Sequence, residues 1–533
     1  MEHTAQAEPQ ARPAQALAAA TGGGATGAIR EGGYTAGLRN RQVQMIAIGG
    51  AIGTGLFLGA GERLHAAGPS LVVIFALTGL FAFFISRAMG ELVMHRPTSG
   101  SFVSYSREFL GEKAAYTAGW VYFLHWVCSG IAEITAVAMY LHYWAAFRDI
   151  PQWTLALFAL LVVLVANLIS VRWFGEFEFW FSIIKVAAIL AFLAIGCWLL
   201  ASRHPVDGHS TGPQLISDNG GMLPNGLLAA VVLIQGVVFA YAAIEMVGIA
   251  AGETENPRKV IPRAINSVSW RIVLFYVGSV LLLALLLPWT AYKAGESPFV
   301  TLMGKLGVPG ISGIMNFVIL TAALSSCNSG LYSTGRVLRS MGLAGSAPAF
   351  TTKMNKRGVP FGGVLLTACC YILGIVLNYV VPERAFSIVL NFSAITMIGT
   401  WVMIMVCQMA LRRKALRGEL ERPAFRLPGA PFTSWLTLAF LGVVVVLMCV
   451  DGGDAAWSVA CVPLIAIGLV IGWFAVRGRV AERLRTGLRG VGLNPAPLLG
   501  LTPGVLAPLP PGRAPGGRQR CLVSAGIAKK VGR

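Results

Sequence analysis

The sequence predicts an all-α integral membrane protein with twelve transmembrane helices. Of its 533 residues, 56% are hydrophobic and only 12% are charged, whereas soluble domains carry about 25% charged residues. Apolar runs of 18 or more residues recur along the chain, each long enough to cross the roughly 30 Å hydrocarbon layer of a bilayer. These two observations exclude a water-soluble enzyme, which would lack the polar surface that its size requires.

The predicted spans divide the chain into three parts. A polar, Ala/Gly-rich tail at 1–41 is expected to be disordered, a helical membrane domain covers 42–476, and a basic, Pro/Gly-rich tail follows at 477–533. The twelve spans are expected at 42–62, 69–93, 114–145, 151–171, 177–201, 227–251, 268–290, 309–340, 361–381, 386–410, 434–450 and 455–476.

The distribution of basic residues predicts the orientation. With the N-terminus inside, 34 of the 42 lysines and arginines fall in cytoplasmic segments and six in outer loops, Arg63 among them. This bias predicts a multi-pass protein of the cell inner (plasma) membrane with both termini cytoplasmic. The net charge of +19 therefore needs no nucleic acid. The C-terminal tail is interpreted as a solvated segment, with attraction to anionic lipid as the alternative.

Spans 1 and 6 contain an unusual number of glycines. Interrupted segments at matching positions of two five-helix halves, spans 1–5 and 6–10, are typical of the binding site of a secondary transporter with an inverted repeat. Close packing through small residues is the alternative explanation. The glycines are Gly49, Gly50, Gly53, Gly55, Gly59 and Gly61 in span 1, and Gly236, Gly248 and Gly252 in span 6.

Broken helices expose backbone groups that suit an amino acid. Free N–H groups at one break favour an α-carboxylate, and free carbonyls favour an α-ammonium. The predicted carboxylate contacts are Ala51, Ile52, Gly53, Thr54 and Gly55, and the predicted ammonium contacts are carbonyls around Ile48, Phe239, Ala240 and Ala243. Side chains near Tyr241 and Glu245 are expected to recognise the side chain of the substrate.

Three ionisable residues lie deep within spans, where each is expected to have a partner. Lys185 of span 5 is the candidate for proton exchange, with a structural ammonium on span 1 carbonyls as the alternative. Ser325 and Ser326 of span 8 lie on or near one helical face and are candidate partners, although simple interhelical hydrogen bonding also explains them. Glu245 either gates the site or pairs locally, and Glu133 of span 3 is a secondary candidate.

Motifs for other chemistries do not occur in the sequence. The seven histidines and nine cysteines have no metal-ligand spacing, and HExxH, GxxxxGK[ST] and GxSxG are missing. We therefore expect no metal, no cofactor and no enzymatic activity, and an ion gradient rather than ATP as the energy source. A membrane sensor that binds an amino acid without moving it is the alternative from another class.

The motifs in fact resemble those of bacterial amino acid permeases of the amino acid–polyamine–organocation superfamily. LRNRQVQMIAIGGAIGTGLFLGAG, RAMGEL, FGEFEFWFSIIKV, AGETENPRKVIPRAIN and SSCNSGLYSTGR carry the resemblance, which covers about 38 to 476. It implies a five-plus-five inverted repeat, proton symport, and a site between spans 1, 3, 6 and 8. It also implies that Lys185 matches a lysine placed where sodium-coupled relatives bind an ion.

The resemblance also suggests a substrate. It is strongest to the group that transports asparagine, GABA, aromatic amino acids and D-serine, D-alanine or glycine, and it implies import of L-asparagine. A permease for D-serine, D-alanine and glycine or another neutral amino acid, or an exchanger, is the alternative. Glu133 is a departure, since asparagine-transporting members tend to carry Asp there. The oligomeric state does not follow from the sequence.

Overall fold

The computed structural model describes residues 41–42, 45, 52–98, 100–254, 256–293, 295–382 and 384–490. Ile48, Ala51, the predicted N-terminal tail up to residue 40 and the C-terminal tail from 491 lie outside the described residues. The chain divides into two units after Val480. Within the described ranges the regular elements are helical, and an isolated bridge of the extended type joins Val206 to His209.

The first seven helices run from the first glycine-rich segment to the end of predicted span 5. They are α1 Thr54–Phe57, α2 Gly59–Ala67, α3 Leu71–His95, α4 Ser101–Leu110, α5 Glu112–Leu141, α6 Gln152–Ile169 and α7 Val171–Ala201. Predicted span 6 is composed of short helices, which follow another small helix, α8 Pro213–Asp218. These short helices are α9 Gly226–Val232, α10 Ile234–Ala240 and α11 Met246–Ala250.

The remaining helices complete the second half and the C-terminal pair. They are α12 Pro257–Arg271, α13 Gly278–Leu286, α14 Pro298–Gly304, α15 Ile311–Leu343, α16 Phe361–Val380, α17 Ala385–Leu416, α18 Phe432–Asp451, α19 Gly453–Ala460 and α20 Val462–Gly490. A π-helical segment, Ile272–Val277, joins α12 to α13.

Ten helical stretches in the described part are long and apolar enough to cross a membrane, two fewer than the predicted spans. The difference has a local cause at spans 1, 2 and 6. One stretch, Thr54–His95, covers both the end of span 1 and all of span 2, with a turn at Gly68, whose φ is +65°. Span 6 is interrupted, so only its apolar part Gly226–Ala240 remains, and this is too short to count. The chain is therefore a multi-pass, all-helical membrane protein.

Helix α5 lies at the centre of the membrane domain. It packs against α15 on one side and α17 on the other, and 83% of its apolar window is buried, against 33% for α6 and α7. Exposed apolar side chains on α6 and α7, such as Phe158, Val165 and Trp180, face the surroundings, as expected of helices that contact lipid.

Both predicted interruptions are present in the described residues. In span 1, Gly53 is extended (φ −131°, ψ −162°) and α1 begins at Thr54. In span 6, α10 ends at Ala240 and α11 begins only at Met246. Ala243, between them, has a φ of +69°, which an L-residue rarely adopts outside a specialised turn. The glycine pattern therefore located both breaks.

The break in span 1 contacts the break in span 6 through backbone. A Cβ on Gly55 would lie 2.6 Å from the Cα and 2.9 Å from the N of Ala240, closer than atoms can approach without a shift. Glycine at 55 is therefore required for this contact.

One residue lies in a different environment from that predicted. The sequence places Arg63 in an outer loop because predicted span 1 ends at 62. In the structure helix α2 continues to Ala67, so Arg63 is part of a helix. Arg63 is buried and its guanidinium donates to the Gly55 carbonyl at 3.3 Å. It lies against Gly59 and Gly236, where a Cβ would collide with it.

Candidate substrate-binding site

A small cavity lies where the two breaks meet α5 and α15. Its volume is about 10 Å³. This is the room that about one water molecule needs. Its lining residues are Gly53, Gly55, Trp126, Ser129, Glu133, Phe239, Ala240, Ala242, Ala243 and Ser326.

Helix α5 supplies the polar wall of the cavity. Trp126, Ser129 and Glu133 are spaced by three and four residues, which places them on one face of the helix. A Cβ on Gly53 would lie 3.2 Å from Glu133 Oε1 and 3.4 Å from Ser326 Oγ. The Glu133 Oε2 atom is buried without a hydrogen-bond partner among the described residues. A carboxylate oxygen with unused acceptor capacity beside the cavity suits a donor such as an ammonium group.

The structure brings together most of the predicted site. Gly53, Gly55, Phe239, Ala240 and Ala243 line the cavity, as do the coupling candidate Ser326 and the secondary candidate Glu133. Ile52 and Thr54 are buried beside it without lining it. Trp126, Ser129 and Ala242 also line the cavity and were not predicted as site residues. The one available signal for Trp126 was its spacing of seven residues from Glu133.

Tyr241 and Glu245 do not line this cavity. The Tyr241 hydroxyl donates to the Phe75 carbonyl at 2.7 Å, and its ring stacks on Tyr276 with centroids 4.7 Å apart. Tyr241 thus bonds to α3 and packs on the π-helical segment, and its predicted role in recognising the substrate side chain stays a prediction. The Glu245 carboxylate is buried near the Trp401 indole and accepts no hydrogen bond within 3.5 Å in the described part.

Lys185 belongs to a separate polar cluster behind the cavity. Its Nζ donates to Ser325 Oγ at 2.9 Å, and Ser325 donates to Glu178 Oε2 at 2.8 Å. Ser325 and Ser326 are adjacent on α15, so one faces Lys185 and the other faces the cavity. Glu178 was missed in the sequence, although it lies seven residues before Lys185 and hence on the same helical face.

The arrangement provides hydrogen-bonding groups for a small zwitterion. Backbone at two helix breaks, one underpartnered carboxylate and two hydroxyls surround a cavity with apolar walls. Among the described residues no group of three or more His, Cys, Asp or Glu side chains could hold a metal ion.

Comparison with known proteins decides the family. Residues 42–485 match the family described as "Amino acid permease". The chain belongs to the amino acid permease family. The resemblance seen in the motifs is therefore confirmed. Members of this family are membrane transporters rather than enzymes.

Several curated relatives are similar over nearly their whole length. L-asparagine permease of Salmonella typhimurium (strain LT2) is 62% identical over 456 residues, covering 86% of this chain and 92% of the relative. L-asparagine permease of Escherichia coli (strain K12) is 62% identical over 452 residues, covering 85% and 91%. The Streptomyces coelicolor L-asparagine permease is 58% identical over 453 residues, covering 85% and 93%.

Proposed function

We propose that this permease imports L-asparagine across the plasma membrane together with a proton. The observation that carries the substrate is the identity of 56–62% with L-asparagine permeases from several bacteria. At such identity over 84–87% of the chain, the residues around the substrate are expected to be largely shared.

The cavity supports the binding mode. In this mode the backbone N–H groups at Gly53 and Gly55 bind the α-carboxylate. The α-ammonium binds the carbonyls of Phe239, Ala240 and Ala243. The Glu133 carboxyl adds an acceptor oxygen without a partner among the described residues for the ammonium. A side-chain carboxamide has both donors and acceptors, which suit the Ser129 and Ser326 hydroxyls.

The cavity volume supports alternating access. Space for about one water molecule does not hold an amino acid, so the lining segments must separate when substrate enters. We propose that this separation is the rocking of one five-helix repeat against the other, within twelve helices whose two termini are cytoplasmic. The short, interrupted segments at both breaks are the elements that such a motion displaces.

Proton coupling is proposed because Lys185 is buried within a span and bonded to Ser325. A buried ammonium can lose its proton more readily than one in water, since burial disfavours the charged form. Proton loss would weaken the Lys185–Ser325 contact and allow the site to open inward.

An uptake screen tests this function. The purified permease is reconstituted in liposomes with an imposed pH gradient, and unlabelled amino acids compete with radiolabelled L-asparagine. We expect L-asparagine to compete better than glycine, L-alanine, D-serine and GABA, because a site that pairs a carboxamide rejects analogues lacking it. Equal competition by glycine and D-serine would contradict L-asparagine as the preferred substrate. Uptake that does not depend on the pH gradient would contradict symport.

A further inference from the structure

A fully buried acid lies within reach of the candidate coupling lysine. Glu178 and Lys185 are both completely buried on one face of α7, and their Cα atoms are separated by about 10.5 Å of helix axis. The Ser325 hydroxyl of α15 fills the space between the two side chains. It accepts from Lys185 Nζ at 2.9 Å and donates to Glu178 Oε2 at 2.8 Å.

The Glu178 carboxylate is bonded to α15, and α6 in turn fixes one of its α15 partners. Asn328 of α15 donates its Nδ2 to Glu178 Oε1 at 3.3 Å. Asn167 of α6 donates in turn to the Asn328 side-chain oxygen and, at 2.8 Å, to the Asn328 carbonyl. The amide orientation of Asn328 is thereby fixed with its donor toward Glu178. Both carboxylate oxygens of Glu178 accept a hydrogen bond, and one of these leads directly to Lys185.

We propose that Glu178 receives the proton of Lys185 through the Ser325 hydroxyl. This inference rests on the proton symport proposed above. In the transfer, an N–H bond of the Lys185 ammonium breaks as its proton binds Ser325 Oγ, while the original Ser325 O–H bond breaks and its proton binds Glu178 Oε2. The products are a neutral amine, an unchanged serine and a neutral carboxylic acid, so protons and charge balance.

Few other charges face this route. Glu133 of α5 interacts electrostatically with Lys185 from the cavity side. Helix α15 brings Cys327 near Glu133 and places Tyr332 and Arg336 further along its length. The sequences of α6 and α13 contain no titratable side chain. The carboxylate that Lys185 reaches through a single hydroxyl is therefore Glu178.

The route leads toward the Val171 end of α7, which the charge distribution predicts to be cytoplasmic. One turn beyond Glu178, Phe174 stacks on Tyr332 with centroids 3.8 Å apart and planes 7° apart. The Arg336 guanidinium lies 3.3 Å from the Tyr332 ring centroid. Phe174 is four residues from Glu178 on α7 and Tyr332 is four residues from Asn328 on α15, so this stack lies one turn nearer that end, and a proton on Glu178 leaves when the stack separates. Proton release is thereby tied to inward opening.

The test compares two assays of L-asparagine movement by the full-length permease in liposomes. One is accumulation driven by a pH gradient, and the other is counterflow exchange without a gradient, which needs no net proton movement. In Glu178→Gln the side chain keeps its size and one acceptor oxygen, but its NH2 group only donates and it carries no ionisable carboxyl. We expect gradient-driven accumulation to fall at least about tenfold, with counterflow retained.

A second pair of variants changes the connecting hydroxyl. Ser325→Ala should reproduce the loss, and Ser325→Thr, which keeps a hydroxyl, should restore gradient-driven accumulation. Glu178→Asp should restore it in part. Glu176→Gln is the matched control, because Glu176 is only two residues away but bonds to Arg41 and Gln42 instead. It should leave both assays unchanged.

The outcomes separate this inference from the proposed function. Gradient-driven accumulation by Glu178→Gln at the wild-type level overturns the proton route alone. Loss of counterflow together with accumulation in Glu178→Gln and in Ser325→Ala also overturns it, because the cluster is then structural. A wild-type permease that does not respond to the gradient overturns the symport itself.

Discussion

Gly55 shows how a single missing Cβ can determine the contact between the two helix breaks. A methyl group at 55 would lie 2.6 Å from Ala240 Cα, and backbone cannot rotate out of the way as a side chain can. We expect Gly55→Ala to abolish L-asparagine uptake and to lower the free energy of unfolding by about 1–3 kcal/mol, the usual cost of overpacking. Uptake in liposomes and thermal unfolding of the purified protein measure the two effects.

Gly442→Ala is the matched control for that substitution. Gly442 lies within α18, and a Cβ there would meet nothing within 4 Å. Uptake and stability should both stay at the wild-type level. Wild-type uptake in Gly55→Ala would show that the breaks do not need this close contact.

The Glu108 carboxylate on α4 predicts a dependence of stability on pH. Burial raises its pKa, but the hydrogen bond from His95 and the charge of Arg96 outweigh burial, so the pKa lies below its ordinary value of 4.5. A depressed pKa means that the ionised form is favoured in the folded protein. The stabilisation is therefore complete above the ordinary value and is lost as the pH falls through the lowered one.

The matching measurement compares wild type with Glu108→Gln by thermal unfolding across a pH series. We expect the variant to be less stable at neutral pH, by about 1 kcal/mol or less because the pair is partly exposed. The difference should shrink as the pH falls below 4.5. A difference that is constant with pH would mean that the ionised carboxylate is not the source.

Individual side chains also mark where sequence reasoning stops. Glu176 and Glu178 lie two residues apart, so they point about 200° apart around the helix. One meets Arg41 and the other is enclosed by α15. Hydropathy alone does not state which face of α7 meets α15, although the seven-residue spacing to Lys185 was available. Arg63 was misplaced for a related reason, since the end of an apolar run does not fix the end of its helix.

At the scale of elements, the segment between α17 and α18 is bonded to the end of α3. Glu91 of α3 is completely buried and accepts from Arg422 Nε at 2.7 Å, from Gln408 Nε2 at 3.0 Å and from the Leu427 N–H at 2.9 Å. Nearby, the Arg87 guanidinium lies 3.8 Å from the centroid of the Phe425 ring. Helix α17 and the segment that follows it thus converge on one carboxylate of α3.

Removal of that carboxylate should be costly. Glu91→Ala leaves the Arg422 charge and the Leu427 N–H without their acceptor, and breaking a buried pair in this way costs about 3–5 kcal/mol. We expect a clear fall in the thermal unfolding temperature of the purified protein. Glu419→Ala is the control, because the Glu419–Arg417 pair is exposed and 3.9 Å apart. Equal effects of the two variants would contradict the assigned role of Glu91.

The elements themselves were largely predictable from sequence. Long apolar runs predicted α3, α5, α15 and α17, because a helix is the element that satisfies its own backbone in lipid. Glycine clusters predicted the breaks. The number of long stretches was less predictable, since a turn at one glycine and the unwinding around Ala243 depend on contacts with distant helices.

At the scale of the whole molecule, the site joins segments that are far apart in the sequence. The cavity is lined from α1, α5, α10, α15 and the loop after α10, so a bound substrate connects both halves of the chain. A ligand that binds only the folded protein stabilises it by about 2.7 kcal/mol at one hundred times its dissociation constant. We expect L-asparagine to raise the unfolding temperature of the permease, and glycine at equal concentration to raise it much less.

Gly53→Val provides the counterpart to that measurement. Its branched side chain would press on Glu133 and Ser326, so the stabilisation by L-asparagine should disappear while the protein still inserts in the membrane. A normal ligand-induced shift in this variant would remove Gly53 from the binding site.

The near-absence of space between the two breaks has a consequence for throughput. A channel passes solutes along a continuous opening, and its rate is set by diffusion. In the alternating-access cycle proposed above, each molecule needs a passage to be created and then closed again, and rearrangements of packed helices take microseconds to milliseconds. In that cycle a cell that needs more amino acid must make more copies of the protein, since a steeper gradient cannot speed the carrier beyond its own conformational cycle.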